Sequence, residues 1–430
     1  MKKELFMLLM IAIGWSVQGQ TWTYSDCLEY ARQHNISIQK SYLTEQSANY
    51  SLEEAKAQWQ PSLDFATTHS YGNYPWAQER KNDYSSTYGL NAGWTVWNGG
   101  KRENTIKQQQ LQTEINRLNT GELIRSLETD LLQVYLNILY AKESIGIYEE
   151  ALKLSEAQAD RAYRLMEAGK LSRVDYTQLQ SQAEQDRYSL VNARGTYDSR
   201  RMELKQLLEL GIDADINIAD VTWNEDRLLA ELPPMAESYQ KAVEVDLKIK
   251  GLEMSKDVSQ LDVAIAKAGH MPTISLNASA GTAYSAPGEA FGTTLKRRWN
   301  ESLGLTLAVP IFDNKKIKTA VARARVAELD AQLDIDKRLT DLAQAVENWY
   351  IETRSARSRY SAALTSLESA QLTEELTAER FELGYVNTIE LMTAHNACIE
   401  ARHSLLQSKY MAILGREMID FYRNGTVDFK

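Results

Sequence analysis

The sequence predicts an α+β chain, mostly α, made of one unit present twice, in which very long coiled-coil-like helices alternate with pairs of membrane-length strands. Three observations predict it. The two halves of the chain match each other. Proline is confined to a few short spans. Apolar spacing changes from four-three to strict alternation and back.

The first element is a targeting segment, residues 1–19. Lys2 and Lys3 give it a charged start, and Leu5 to Trp15 is an apolar run too short to cross a bilayer. Val17 and Gly19 suit the positions before a cut near Gly19/Gln20; the alternative is an uncleaved anchor helix. The mature chain is thus read as exported. No later segment is apolar enough for a transmembrane helix, so any crossing of a membrane must use a β-barrel. The net charge is −10, and it becomes more negative when the leader is removed. That argues against a nucleic-acid partner, which would need clustered Lys and Arg. The two cysteines, Cys27 and Cys398, are read as free thiols.

The repeat follows. "GLNAGWTVWNGGK" (89–101) sets against "GLTLAVPIFDNKK" (304–316), and the same shift places Gly169 on Gly384, Asp175 on Glu390 and Leu127 on Leu342. Upstream the shift is four positions shorter, with Ile38 on Ile249 and Pro61 on Pro272, so a loop between Pro272 and Gly304 absorbs the difference. The units span 20–210 and 235–430, with 211–234 as connector.

Within each unit the prolines mark the order. Residues 76–232 and 311–430 contain none, and a helix interior excludes proline at about 3 kcal/mol. Long helices are predicted at 101–168 and 313–383. Leu127, Leu131, Val134, Ile138, Ala141 and Ile145 form a coiled-coil-like seam in the first. At ~1.5 Å per residue each rod is about 100 Å long. Gly121 and Gly146 allow the first rod to bend.

The strands are predicted at about 62–71, 86–97, 273–283 and 302–310. Leu63, Phe65, Thr67, His69 and Tyr71 share one face; Leu303, Leu305, Leu307 and Val309 share another. The opposite faces are small or polar, and each run has the length of a membrane-spanning strand. Tyr74, Trp76 and Trp299 in the connecting loops suit a membrane interface. The alternative is a pair of soluble hairpins with one buried face each. Four strands cannot close a barrel, so membrane strands demand several copies of the chain.

With these elements in order, "AQWQPSLDF" and "AGHMPTISL" before the strands, "TVWNGGK" and "VPIFDNKK" after them, and "RLMEAGKLSRVDYTQLQ" and "RFELGYVNTIELMTAH" at the turns, the chain resembles the TolC family of outer-membrane efflux proteins. The resemblance covers essentially the whole mature chain. It implies a TolC-like fold: a homotrimer sharing a twelve-stranded β-barrel, an α-barrel tunnel below it, and an equatorial belt containing the connector. It implies a location in the bacterial outer membrane with a periplasmic extension. The implied partners are outer-membrane lipid, a periplasmic adaptor (membrane fusion protein), and an inner-membrane efflux pump or ABC exporter.

No glycine lies between Gly304 and Gly384, and a glycine so isolated ends a helix and starts a turn. Turns are predicted at 169–172 and 384–387. Ser172 and Asn387 are N-cap candidates, each followed three residues on by an acid, Asp175 or Glu390. The plain reading of both acids is this cap. The resemblance implies more: Gly169, Leu171, Ser172, Asp175, Gly384, Val386 and Asn387 at the adaptor-facing mouth, and Phe381, Glu390 and Thr393 at a constriction. Glu390 matches an acidic ring position. Phe381, Val386 and Thr393 stand where the best-known member has a gate tyrosine, a gate arginine and a second acid, so that polar lock is not reproduced.

No phosphate loop, dinucleotide fingerprint or nucleophile motif is present. His395 and Cys398 are one helical turn apart, which is ligand-like spacing without a convincing full set. The expectation is no cofactor, no metal and no catalysis: a passive duct for an efflux or type I secretion system. The competing reading is a periplasmic coiled-coil scaffold or adaptor that never enters the membrane.

Overall fold

The computed structural model describes residues 21–78, 82–221, 225–286 and 290–429; the expected leader, 1–19, lies outside the described residues. Two compact units emerge, and they do not follow the two halves of the sequence. Of the described residues, one comprises those in 21–40, 120–247 and 339–429; the other comprises those in 41–119 and 248–338. Each takes segments from both repeats.

The elements are β1 (Thr21–Trp22), α1 (Tyr24–His34), α2 (Ile36–Ala57), β2 (Ser62–Asn73), β3 (Asn82–Trp97), α3 (Lys101–Glu167) and α4 (Arg173–Leu207). Then come β4 (Asn217–Ile218), α5 (Glu225–Leu229), α6 (Met235–Val245), α7 (Leu247–Ala268), β5 (Thr273–Ala286), α8 (Phe291–Arg297), β6 (Asn300–Ala308), α9 (Lys316–Glu382) and α10 (Thr388–Asn424). The duplication is visible in the lengths: α3 and α9 have 67 residues each. Gly121 and Gly146 do not interrupt α3. Gly121 instead lets the Leu247 side chain approach, since a Cβ there would meet Leu247 Cδ1 at 2.8 Å. Ahead of α9, Asn314 and Lys315 take φ of 56° and 66°, close to the 70° and 80° of Gly99 and Gly100 before α3.

The first unit holds the main apolar core. Leu131, Leu132, Tyr135 and Ile138 of α3 pack with Leu204 of α4, with Leu208 just after it, and with Ile38 of α2. The connector is tied in by β4, which pairs in parallel with β1. Thr23 caps α1 in a reciprocal box with Asp26, satisfying two helix-end N–H groups. The chain's far end joins the same core, with the Phe429 ring 5.2 Å from Tyr24 and 5.8 Å from Tyr135. Cys27 and Cys398 are buried and not joined to each other.

The second unit holds an antiparallel four-stranded sheet in the order β2-β3-β5-β6. Each repeat supplies one hairpin, and β3 pairs with β5 to join them. The register fixes two unlike faces. Leu63, Ala92, Ala278 and Leu303 lie across one row, and Phe65, Leu90, Ala280 and Glu301 across the next. The other face carries Asp64, Asn91, Ser279 and Ser302 in one row, and Ser62, Gly93, Asn277 and Gly304 in another. On the apolar face Phe65 is 66% exposed and Leu303 75% exposed. Strands β2 and β6 are the sheet's edges.

The strands run further toward the loops than the alternation marked. β3 begins at Asn82, and β5 ends at Ala286. Cross-strand pairing carries the polar residues Asn82 and Asp83 along with the apolar ones. The loop expected to absorb the four-residue difference between repeats contains α8, which no periodicity announced.

Candidate functional site

The two turns lie in the first unit, and their backbones are alike. After α3, Gly169 has φ 70°; its N–H donates to Met166 O (2.9 Å), and Lys170 N–H donates to Leu165 O (2.8 Å). After α9, Gly384 has φ 77°, with Gly384 N–H to Phe381 O (3.0 Å) and Tyr385 N–H to Arg380 O (2.9 Å). This paired closure satisfies helix-end carbonyls and needs a left-handed residue, which glycine reaches without a Cβ clash.

The return helices begin on side-chain caps. Ser172 Oγ accepts from Asp175 N–H (3.1 Å), and Asn387 Oδ1 accepts from Glu390 N–H (2.9 Å). The two acids then part ways. Glu390 is exposed, as is Thr393, whose hydroxyl donates back to Ile389 O. Asp175 instead ties the two turns together. The Ser172 hydroxyl donates to Asp175 Oδ2 (2.7 Å), and Thr388 Oγ1 lies 2.7 Å from Asp175 Oδ1 and 2.8 Å from Gln178 Oε1. Hydroxyl donors on Ser172 and Thr388 hold the Asp175 carboxyl below its ordinary value. Thr388 is only 2% exposed.

Behind this polar link sits a small apolar plug. Ala162, Leu179 and Leu391 are buried, with Leu171, Tyr176 and Phe381 packed against them. Phe381 and Leu171 therefore brace the turns from within. Val386 is half-buried, whereas Leu383, Tyr385, Ile389 and Val174 are exposed around the turns.

Deeper along the same helix faces lies a layer that sequence reasoning did not assemble. The His395 ring places Nδ1 2.8 Å from Glu374 Oε1 and Nε2 3.0 Å from Asp186 Oδ2. Gln182 spans to Asn396 (3.1 Å) and Asp186 (3.0 Å) beside it. Burial pushes the His395 pKa down, but the two carboxylates outweigh it and hold it up at about 9. Burial raises Asp186 and Glu374, and the hydrogen bonds from His395 more than reverse this, leaving both below their ordinary values. Both ring nitrogens are thus taken by carboxylates, and Cys398 is bonded to Glu374. The helical spacing of His395 and Cys398 serves an ionic layer. Its sequence signal is spacing: Asp175, Leu179, Gln182 and Asp186 share one face of α4, as Thr388, Leu391 and His395 share one of α10.

The sequence pattern of the family described as "Outer membrane efflux protein" matches residues 27–209 and 238–413, most of the chain. The outer membrane protein TolC of Escherichia coli (strain K12) is 20% identical over 97% of this chain and 85% of that protein. The cobalt-zinc-cadmium resistance protein CzcC of Cupriavidus metallidurans is 22% identical over 78% of this chain and 75% of that protein. Among solved structures, CusC superposes with a TM-score of 0.80 at 17% identity, covering 93% of this chain and 91% of that one. VceC of Vibrio cholerae does so at 0.79 and 13%, covering 94% and 96%. The chain belongs to the outer membrane efflux protein family.

Proposed function

We propose that three copies of this chain build one exit duct across the outer membrane, docked through the paired turns to a periplasmic adaptor and an inner-membrane pump or exporter. The observation that carries it is the sheet. Its strands β2 and β6 end the hydrogen-bonded order, and an open sheet edge is not sustainable in lipid. Its exposed apolar face suits lipid, and its small polar face suits a water-filled lumen. A scaffold that stayed in the periplasm would leave Phe65 and Leu303 in water, with no gain to offset it.

In this reading Gly169, Leu171, Ser172, Asp175, Gly384, Val386 and Asn387 shape the mouth that meets the adaptor. Glu390 and Thr393, both exposed, are the residues of the three assigned to a constriction that reach open space. Phe381 supports the constriction from behind through the Leu179–Leu391 plug. Transport energy comes from the pump, and the duct is passive. The test is disulfide trapping between copies, scanning one cysteine on β2 between Asp64 and Ser70 against one on β6 between Asn300 and Thr306. A ladder ending at three copies supports the reading. Monomers at every register contradict it.

A further inference from the structure

We propose that α8 and the basic run ending it form a seat for the phosphate groups of an outer-leaflet lipid. The proposal rests on the sheet spanning the membrane, as argued above.

The sheet register places α8. Thr282, Tyr284 and Tyr88 lie on the same face as Leu303 and Phe65. Thr282 Oγ1 donates to Leu295 O (2.6 Å), and the Phe291 ring stands 5.0 Å from Tyr284 and 6.5 Å from Tyr88. The helix is therefore folded down onto the apolar face, not away from the sheet and not onto the small polar face. It lies at the β5–β6 connection, the end opposite to that where α7 leads in and α9 leads out. With the long helices in the periplasm, this is the outer-leaflet end.

Its chemistry fits that place. Lys296, Arg297 and Arg298 are consecutive and exposed, and the nearest acids along the sequence are Glu289 and Glu301. Trp299 is 56% exposed, and its indole N–H donates to Glu301 Oε1 (3.0 Å), which fixes the ring beside the basic run. Trp76, in the β2–β3 connection at the same end, is 95% exposed. Tryptophan at the headgroup level, with cations just outside an apolar band, is the pattern that binds anionic headgroups. Three adjacent positive charges at this level attract the anionic phosphates of a headgroup. A helix that faced the lumen would meet the small polar face instead.

The test reconstitutes the full-length protein in bilayers of phosphatidylethanolamine containing a minor fraction of a diphosphorylated glycolipid. Native mass spectrometry then counts the phosphorylated lipid retained on release, and single-channel current is recorded on the same samples. Wild type is expected to retain the phosphorylated lipid. The triple exchange Lys296→Gln, Arg297→Gln, Arg298→Gln should conduct normally and lose about fivefold in retention per charge removed. Arg297→Lys with Arg298→Lys should keep most of it. Should the triple exchange not assemble, Lys296→Gln alone carries the same comparison. Undiminished retention by a conducting, charge-stripped variant overturns the proposal, and so does equal binding of inorganic phosphate with no preference for the lipid. A wild type that passes no current refutes the channel reading, and this seat with it.

Discussion

Nε2 of His395 lies 3.0 Å from Oδ2 of Asp186, and His395 itself is buried at 1% exposed. Glu374 meets the other ring nitrogen. One helix of the first repeat and two of the second are joined there by charge.

This layer predicts a pH window. The His395 pKa rises from 6.5 to about 9, so its contribution is complete below 6.5 and lost as pH climbs through about 9. Asp186 and Glu374 are depressed from 3.8 and 4.5, so theirs is complete above those values and lost as pH falls through the lowered ones. The layer's own contribution to the thermal midpoint in detergent should be flat from about 4.5 to 6.5 and fall in alkali through His395. His395→Gln, which removes the cation that both carboxylates share, should cost about 3–5 kcal/mol and flatten the alkaline fall. An unchanged alkaline limb in that variant would remove His395 from the account.

Thr388 should matter more than its size suggests. Thr388→Val keeps the shape and deletes the donor to Asp175, so it should cost about 1.5–3 kcal/mol locally. Hydrogen exchange should quicken at residues 171–175 and 387–391, and Thr388→Ser should restore slow exchange. Equal exchange in wild type and the valine variant would mean the turns are held by the Leu179–Leu391 plug alone.

The two turn glycines should respond through backbone conformation. A Cβ at Gly169 or Gly384 meets nothing within 4 Å, while φ is 70° and 77°. Gly384→Ala should therefore cost about 1–2 kcal/mol, and Gly384→Asn less. Neither should prevent assembly of the oligomer, but a bulky residue there should weaken adaptor capture. Loss of the oligomer itself, seen by native electrophoresis, would assign the glycine to folding instead.

Glu390 should act electrostatically. In the proposed three-copy duct, three exposed carboxylates around an axis would favour cations, so Glu390→Gln should lower the cation preference of the current without changing stability. Reversal potentials in a salt gradient measure it directly. An unchanged reversal potential removes Glu390 from the ion path.

Much of the architecture was readable because it is written in local periodicity. Alternation at Leu63–Tyr71 and Leu303–Val309, and the proline-free spans around α3 and α9, are signals spread over many residues. The site was readable only where it is local: the glycine turns and the Ser172 and Asn387 caps act within a few positions. The links between helices were not. Thr388 occupies the position where the first repeat has Arg173, so the duplication gave no hint of its bond to Asp175. His395 and Cys398 suggested ligands because they are one turn apart, while the carboxylates that occupy the ring come from α4 and α9. α8 is too short to carry a period. Gly121 and Gly146 did not break α3, because packing outweighs a propensity cost of about 1 kcal/mol each.

Single-channel recording on the purified protein, with chemical cross-linking to count its subunits, bears most directly on whether β2, β3, β5 and β6 are shared staves of one pore. Three cross-linked copies and discrete current steps across a lipid bilayer are the expected result. A water-soluble monomer that passes no current would contradict it.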